Sequence, residues 1–180
     1  MYKRQAKYLV EQLNKDIPVH TGTPGTYDKT RNEKRKWLGE RKEMEQITPM
    51  LSIEDDRKGA PAFIVETAEK NSGDLELVTI GPLTNIAQAL DLDAQLSTHI
   101  NKITMMAGAS KVQGNVTPAA EFNVWADPES AARVFGSGIP IRMVPLDVCH
   151  KTRFGREHLN DIGSNDHPFC QFVQQSVDPW

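Results

Sequence analysis

The residues best suited to chemistry lie between Gly114 and Pro128, in the run Gly-Asn-Val-Thr-Pro-Ala-Ala-Glu-Phe-Asn-Val-Trp-Ala-Asp-Pro. Asn115, Glu121 and Asn123 sit close together on this short irregular segment, just ahead of a helix start. Amides donate and accept hydrogen bonds and a carboxylate accepts them, so three such groups in one loop suit a polyhydroxylated ligand such as a sugar. The same types at the same spacing also suit a polar loop whose side chains cap nearby backbone. Residue types alone leave both readings open. Asp147 and His150 follow an apolar run and suit either acid–base work or structural support.

The elements that must position these groups are legible in the apolar pattern. Residues 75–80 are rich in branched side chains and follow the turn Gly73-Asp74, which predicts a strand. Gly81-Pro82 ends that strand and opens a helix through Leu90. Residues 103–107 predict a second strand leading into the loop from Gly108. Asp127 as N-cap, Pro128 at the first helical position and Glu129 in the first turn predict a helix that ends near Gly136-Ser-Gly138. Residues 139–144 predict a third strand, with Asp147 just past its end.

Upstream, Ala6, Leu9, Val10 and Leu13 recur at helical spacing and predict a helix over residues 2–14. Residues 16–20 predict a short strand, closed by Gly22-Thr-Pro-Gly25, and residues 60–70 a helix with Phe63, Ile64 and Ala68 on one face. Residues 27–50 carry mixed charge with scattered apolar positions and predict a solvated connection. Alternation of strands and helices indicates an α/β fold, a three-layer, Rossmann-like arrangement with a mostly parallel sheet covered by helices on both faces. Ligands of such sheets bind outside the carboxyl ends of the strands. Thr84, Asn115, Glu121, Asn123 and Asp147 all lie just beyond predicted strand ends, so the fold can bring them together.

A chain of 180 residues fits one domain, residues 1–180, with length enough for a core. A net charge of −3 gives no electrostatic footprint for nucleic acid or an anionic membrane. Cys149 and Cys170 fall in no metal-like spacing and are expected to be reduced. No apolar run approaches the ~20 residues that span a bilayer, and no apolar stretch follows the basic N-terminus. The expectation is a soluble cytoplasmic protein. His20, His99, His158 and His167 stand in unrelated contexts, Trp37 and Trp125 read as core or interface, and Trp180 ends the chain. No Gly-x-Gly-x-x-Gly or phosphate loop follows a predicted strand, which argues against a generic nucleotide-binding domain.

Five ordered blocks carry a more specific signal. They are Leu-Val-Thr-Ile-Gly-Pro-Leu-Thr-Asn-Ile-Ala (77–87), Met-Ala-Gly-Ala (106–109), Gly-Asn-Val-Thr-Pro-Ala-Ala-Glu-Phe-Asn (114–123), Ala-Asp-Pro-Glu-Ser-Ala (126–131) and Leu-Asp-Val-Cys-His-Lys (146–151). Over residues 75–152 the chain resembles the nucleoside hydrolases, the inosine-uridine-preferring N-ribohydrolases. The resemblance implies cleavage of a nucleoside's N-glycosidic bond through a ribose with oxocarbenium character. It implies a Ca²⁺ held by an N-terminal Asp-rich motif, a threonine backbone carbonyl and an aspartate of a later His-Asp pair. Thr84 matches that carbonyl ligand. Asn115 and Glu121 match residues that hold the 5′ side of the ribose, Asn123 one that binds its lower hydroxyls, and Met106 the methionine lining the sugar pocket. Asp147 and His150 fall in a segment like the family's Leu-Asp-Val-Thr-His, which implies structural support. The family commonly forms dimers and tetramers, so a homo-oligomer is expected.

The chain also departs from the family. The Asp-x-Asp-x-Gly-x-Asp-Asp strand expected ahead of the first helix is absent, as is the His-Gly-x-Asp-Gly loop where residues 27–50 stand, and the sequence stops at Trp180 before the His-Asp pair. A hard divalent cation takes about six to eight oxygens, several from carboxylates. Of the implied ligands the Thr84 carbonyl remains, and nothing in the sequence places Asp55, Asp56 or Asp147 around it. Little or no hydrolysis by the chain alone is therefore expected. The alternative is a non-catalytic protein that oligomerises or binds nucleoside or ribose weakly. Base preference is not legible, because the family's base contacts fall largely in its C-terminal part. An absent central strand would leave unpaired sheet edges and exposed apolar side chains, and so favour association.

Overall fold

Branched residues at alternate positions draw two stretches of the chain side by side as β1 (Leu75–Thr79) and β2 (Ile100–Met106), and β3 (Ile141–Val144) completes a sheet in the order β1-β2-β3. Both pairings are parallel, as alternation of strands and helices requires. The register sets Leu77 beside Ile103 and Thr79 beside Met105, and continues from Ile103 to Ile141. This is the architecture in a computed structural model that describes residues 2–28 and 59–177.

The helices among these residues are, in chain order, α1 (Tyr2–Gln12), α2 (Gly59–Lys70), α3 (Thr84–Leu92), α4 (Leu96–His99), α5 (Phe122–Ala126), α6 (Pro128–Phe135), α7 (Leu146–Cys149), α8 (Arg156–Gly163) and α9 (Pro168–Val177). The described residues fall into two compact units. Residues 22–28 and 59–152 make the larger, which holds the sheet, and residues 2–21 and 153–177 the smaller.

The core of the larger unit lies between the sheet and the helices beside it. Leu83, Ile86, Ala87 and Leu90 pack with Ile103 and Met105 of β2, Ala131 and Val134 of α6, Ala68 of α2 and Leu96 of α4. Mixed α/β structure with a parallel sheet flanked by helices is thus present as the sequence indicates. Among the described residues, one face of β1 is left uncovered. Val78 is 74% exposed and the adjoining Ile80 84%, on the face where Glu76 pairs with Lys102 at 2.7 Å. An ion pair as exposed as this one adds little stability.

In the smaller unit α1 contacts α9 through Tyr8 and Phe172, whose ring centroids lie 5.3 Å apart, and Leu159 of α8 is buried. The strand expected at residues 16–20 is not formed. Asp16, Ile17 and Pro18 are exposed and irregular, no strand among the described residues runs beside them, and Pro18 has no N–H to give to a ladder. The short helix α5 stands where the sequence signalled only loop, and α4 lies in a stretch for which the sequence offered no element. The charged stretch from residue 29 onward, with Trp37, Asp55 and Asp56, lies outside the described residues, as does Trp180. No helix among the described residues is long and apolar enough to cross a membrane.

One buried carboxylate joins separate parts of the larger unit. Asp127 has no exposed surface and caps α6, its Oδ1 accepting from the Ser130 N–H at 3.2 Å. Its Oδ2 accepts from the Tyr27 N–H at 2.8 Å and the Thr84 hydroxyl at 2.5 Å. The segment around Tyr27 is anchored again at α3, where the Thr23 N–H donates to Asn85 Oδ1 at 2.8 Å. Replacing Asp127 by Ala leaves these buried donors without an acceptor and should cost about 2–4 kcal/mol of unfolding free energy. Urea denaturation of Asp127→Ala beside the parent measures it, and a loss below about 0.5 kcal/mol contradicts the assigned role.

Candidate functional site

The site is built at the carboxyl end of β2. After Met106 the chain turns at Gly108, whose φ of +72° favours glycine and whose α-carbon faces the Met143 side chain. The following loop closes on itself. Gly114 N–H donates to Pro118 O at 3.1 Å, Val116 N–H donates to Ala120 O at 3.1 Å, and Thr117 Oγ1 accepts from Ala120 N–H at 3.0 Å. A side chain at position 114 would meet the Ala120 carbonyl oxygen at 2.2 Å, so a glycine is required there.

Glu121 pins both ends of this loop. It is 2% exposed and caps α5, with Oε1 accepting from Asn123 N–H at 2.8 Å and Oε2 from Val124 N–H at 3.3 Å. Oε2 also accepts from Gly108 N–H at 3.0 Å, which ties the exit of β2 to the start of α5. Asn123, also buried, donates through Nδ2 to the Met106 carbonyl at 3.0 Å and to its sulfur at 3.2 Å. Asn115 is exposed, and its Oδ1 accepts from Phe122 N–H at 2.9 Å. Met106, Asn115, Glu121 and Asn123 are therefore joined in one network. Asn115 and Glu121 accept from nearby backbone N–H groups, so the capping reading is realised at those two, while Asn123 bonds the end of β2.

Asp147, on α7, holds the same loop from the β3 side. Its carboxylate accepts from Ser110 N–H at 2.9 Å and Lys111 N–H at 2.7 Å. These backbone donors, Ser110 first, hold its carboxyl below the usual aspartate range, against a smaller opposing effect of desolvation. His150 is exposed, and Trp125 packs its ring against Phe122. Cys149 and Cys170 are free thiols.

Thr84 is not part of this network. It begins α3 and is buried, with its hydroxyl on Asp127. Among the described residues no three His, Cys, Asp or Glu side chains converge to hold a metal ion. One neutral carbonyl falls far short of the oxygen set that Ca²⁺ requires, so the described residues do not fit that ion. Sequence reasoning missed Gly108, Gly114 and the reach of Asp127 across the fold. The N-cap pattern signalled Asp127 locally, and nothing local signalled its bond to Tyr27.

Two expectations follow from this geometry. Glu121→Gln turns one acceptor of backbone N–H groups into a donor, so it should cost about 1–3 kcal/mol and speed hydrogen exchange at Gly108, Asn123 and Val124; unchanged exchange at all three contradicts the role. For Asp147, a pKa lowered by folding contributes stability above the ordinary aspartate value of about 3.9, which is lost as pH falls through the folded value. Denaturation of Asp147→Asn between about pH 3 and 6 should accordingly show a shallower acid limb than the parent, and equal limbs would refute the linkage.

The model for the inosine-uridine preferring nucleoside hydrolases matches residues 2–179. The probable uridine nucleosidase 2 of Arabidopsis thaliana is 32% identical over 178 residues, which are 97% of this chain and 55% of that protein. The pyrimidine-specific ribonucleoside hydrolase RihA of Shewanella sp. strain ANA-3 is 40% identical over 130 residues, 72% of this chain and 41% of that one. Among solved structures, a plant nucleoside hydrolase superposes with a TM-score of 0.83 at 28% identity, over 97% of this chain and 56% of its own. A purine-preferring ribonucleoside hydrolase from Gardnerella vaginalis superposes with a TM-score of 0.84 at 27% identity, over 99% and 58%. The chain thus spans about half the length of the relatives it matches. Sequence blocks, parallel sheet and a family match running from residue 2 to residue 179 agree, and the chain belongs to the inosine-uridine-preferring nucleoside hydrolase family.

Proposed function

We propose that this chain supplies the ribose-facing part of a nucleoside N-ribohydrolase, which cleaves a ribonucleoside to ribose and free base, and that its described residues alone do not turn the substrate over. The observation that carries this reading is the Glu121 carboxylate, which fixes Gly108 and the start of α5 and so gathers Asn115, Asn123 and Met106 at the end of β2. In such a site Asn115 and Glu121 face the 5′ side of the ribose. Asn123, held by Nδ2 on Met106, turns its carbonyl oxygen to the lower hydroxyls, and the Met106 thioether forms an apolar wall. Each sugar hydrogen bond is worth about 1–3 kcal/mol when its loss strands a buried partner.

The rest of the chemistry needs groups from elsewhere. Thr84 offers one carbonyl toward the Ca²⁺ that the family resemblance implies, and the carboxylates that would complete such a site come from residues beyond those described or from another chain. The setting we assign is salvage of purine or pyrimidine nucleosides in the cytoplasm, with the chain working as a homo-oligomer.

A second reading has its own support. Both Glu121 oxygens and the Asn123 amide nitrogen are already engaged within the fold, which also suits a non-catalytic protein that binds nucleoside or ribose weakly. Ribose release from inosine and uridine separates the two. The folded chain alone should release none. Addition of Ca²⁺ and a polypeptide bearing the Asp-x-Asp-x-Gly-x-Asp-Asp motif should give turnover that falls at least about tenfold in Asn123→Ala. Turnover by the chain alone overturns its assigned inactivity, and failure of every such addition leaves the non-catalytic reading.

A further inference from the structure

Thr84 lies outside the hydrogen bonds at the end of β2, yet its hydroxyl reaches the end of the helix that carries Asn123. It donates to Asp127 Oδ2 at 2.5 Å, and Asp127 closes α5 at the end opposite Glu121. A buried carboxylate therefore stands at each end of α5. Glu121 ties the first turn to Gly108 at the exit of β2. Asp127 ties the last turn to Thr84 on α3, to the Tyr27 N–H and to the start of α6. Asn123 lies between the two.

We propose that Thr84, through its hydroxyl, and Asp127 are positioning residues of the ribose-facing site, which set Asn123 by way of α5. The inference rests on the nucleoside reading and names what holds its grip from the far side. It concerns the Thr84 hydroxyl, a group separate from the backbone carbonyl that the family resemblance assigns. α5 has little slack to absorb a movement at its end. The stretch from Glu121 to Asp127 contains no glycine, and the Trp125 N–H donates to the Glu121 carbonyl at 2.9 Å. The rings of Phe122 and Trp125, three positions apart, have centroids 6.4 Å apart and brace one helical face. Asn123 and Ala126 are buried, so neither swings outward without exposing packed surface.

The hydroxyl matters because Asp127 is wholly buried. A carboxylate in that setting holds its place through the donors around it, and a lost donor leaves an oxygen that must find another. Its Oδ1 has the Ser130 N–H, and its Oδ2 has the Tyr27 N–H and the Thr84 hydroxyl. Two of these donors are backbone groups, placed by the course of the chain. The third is a side chain, and it comes from α3, whose Ile86, Ala87 and Leu90 are fixed in the core. It thus refers the end of α5 to the most firmly packed helix of the unit. Without it Asp127 turns about its remaining donors and α5 follows, which displaces the Asn123 carbonyl oxygen that the ribose reading uses.

Ribose titration of the isotope-labelled chain, followed by amide chemical shifts, tests this with three variants. Thr84→Val keeps the side-chain shape and removes the hydroxyl, and should raise the ribose dissociation constant about fivefold or more. Thr84→Ser keeps the hydroxyl and should bind within about twofold of the parent. Ala68→Gly loosens the same core from α2 but leaves the donors of Asp127 in place, so it should also bind like the parent. Weaker binding in Thr84→Val that Thr84→Ser restores is the expected result. Equal affinity in the parent and Thr84→Val overturns the proposal and leaves the ribose reading standing. A loss shared by Ala68→Gly overturns it too, because stability alone then sets the affinity. A folded parent that responds to ribose at no concentration overturns the ribose reading, and the proposal with it.

Discussion

The loop that carries the candidate site residues depends on one interaction, the acceptance of backbone N–H groups by the buried Glu121 carboxylate. Charge-assisted hydrogen bonds in a dry environment are strong, and a buried N–H without a partner is costly. Gly108 at the exit of β2 and the first turn of α5 both need an acceptor, and one side chain serves them. Everything between them, from Ser110 to Ala120, is then a closed excursion held by its own backbone bonds and by Asp147 from below. The fold repeats the device immediately downstream, where the buried carboxylate of Asp127 caps α6 and reaches Thr84 and the Tyr27 backbone.

This construction holds the groups of the candidate site in place through the fold's own hydrogen bonds. Asn123 and Met106 are bonded to each other, and Asn115 is bonded to the start of α5, so a sugar would meet groups whose positions are already set. It also explains a division of labour. On the proposed reading the groups at the end of β2 would grip the ribose, while Thr84, on another helix and tied to another carboxylate, would belong to a metal site that the described residues do not complete.

Local signals in the sequence were enough for the sheet and for α6. Branched runs mark the three strands, and Asp127-Pro128-Glu129 marks the helix start within one residue of where it forms. The family blocks pointed to Asn115, Glu121, Asn123 and Met106 as one group, and these do come together. What was illegible is long-range. The bond between Tyr27 and Asp127 joins positions 100 residues apart, and no periodicity encodes it. The strand expected at residues 16–20 did not form for the same reason, since an extended stretch becomes a strand only where another lies beside it, and none of the described residues supplies one. The polar types in the loop fitted either sugar binding or capping. The hydrogen bonds of the fold put Asn115 and Glu121 on nearby backbone and Asn123 on Met106.

The most direct test of the ribose-facing loop is a titration of the isotope-labelled chain with ribose, followed by amide chemical shifts. The expected result is a saturable set of shifts at Gly108, Phe122, Asn123 and Val124, lost in Asn123→Ala while the remainder of the spectrum is preserved. A folded sample whose amides in this loop do not respond to ribose at any concentration would contradict the account.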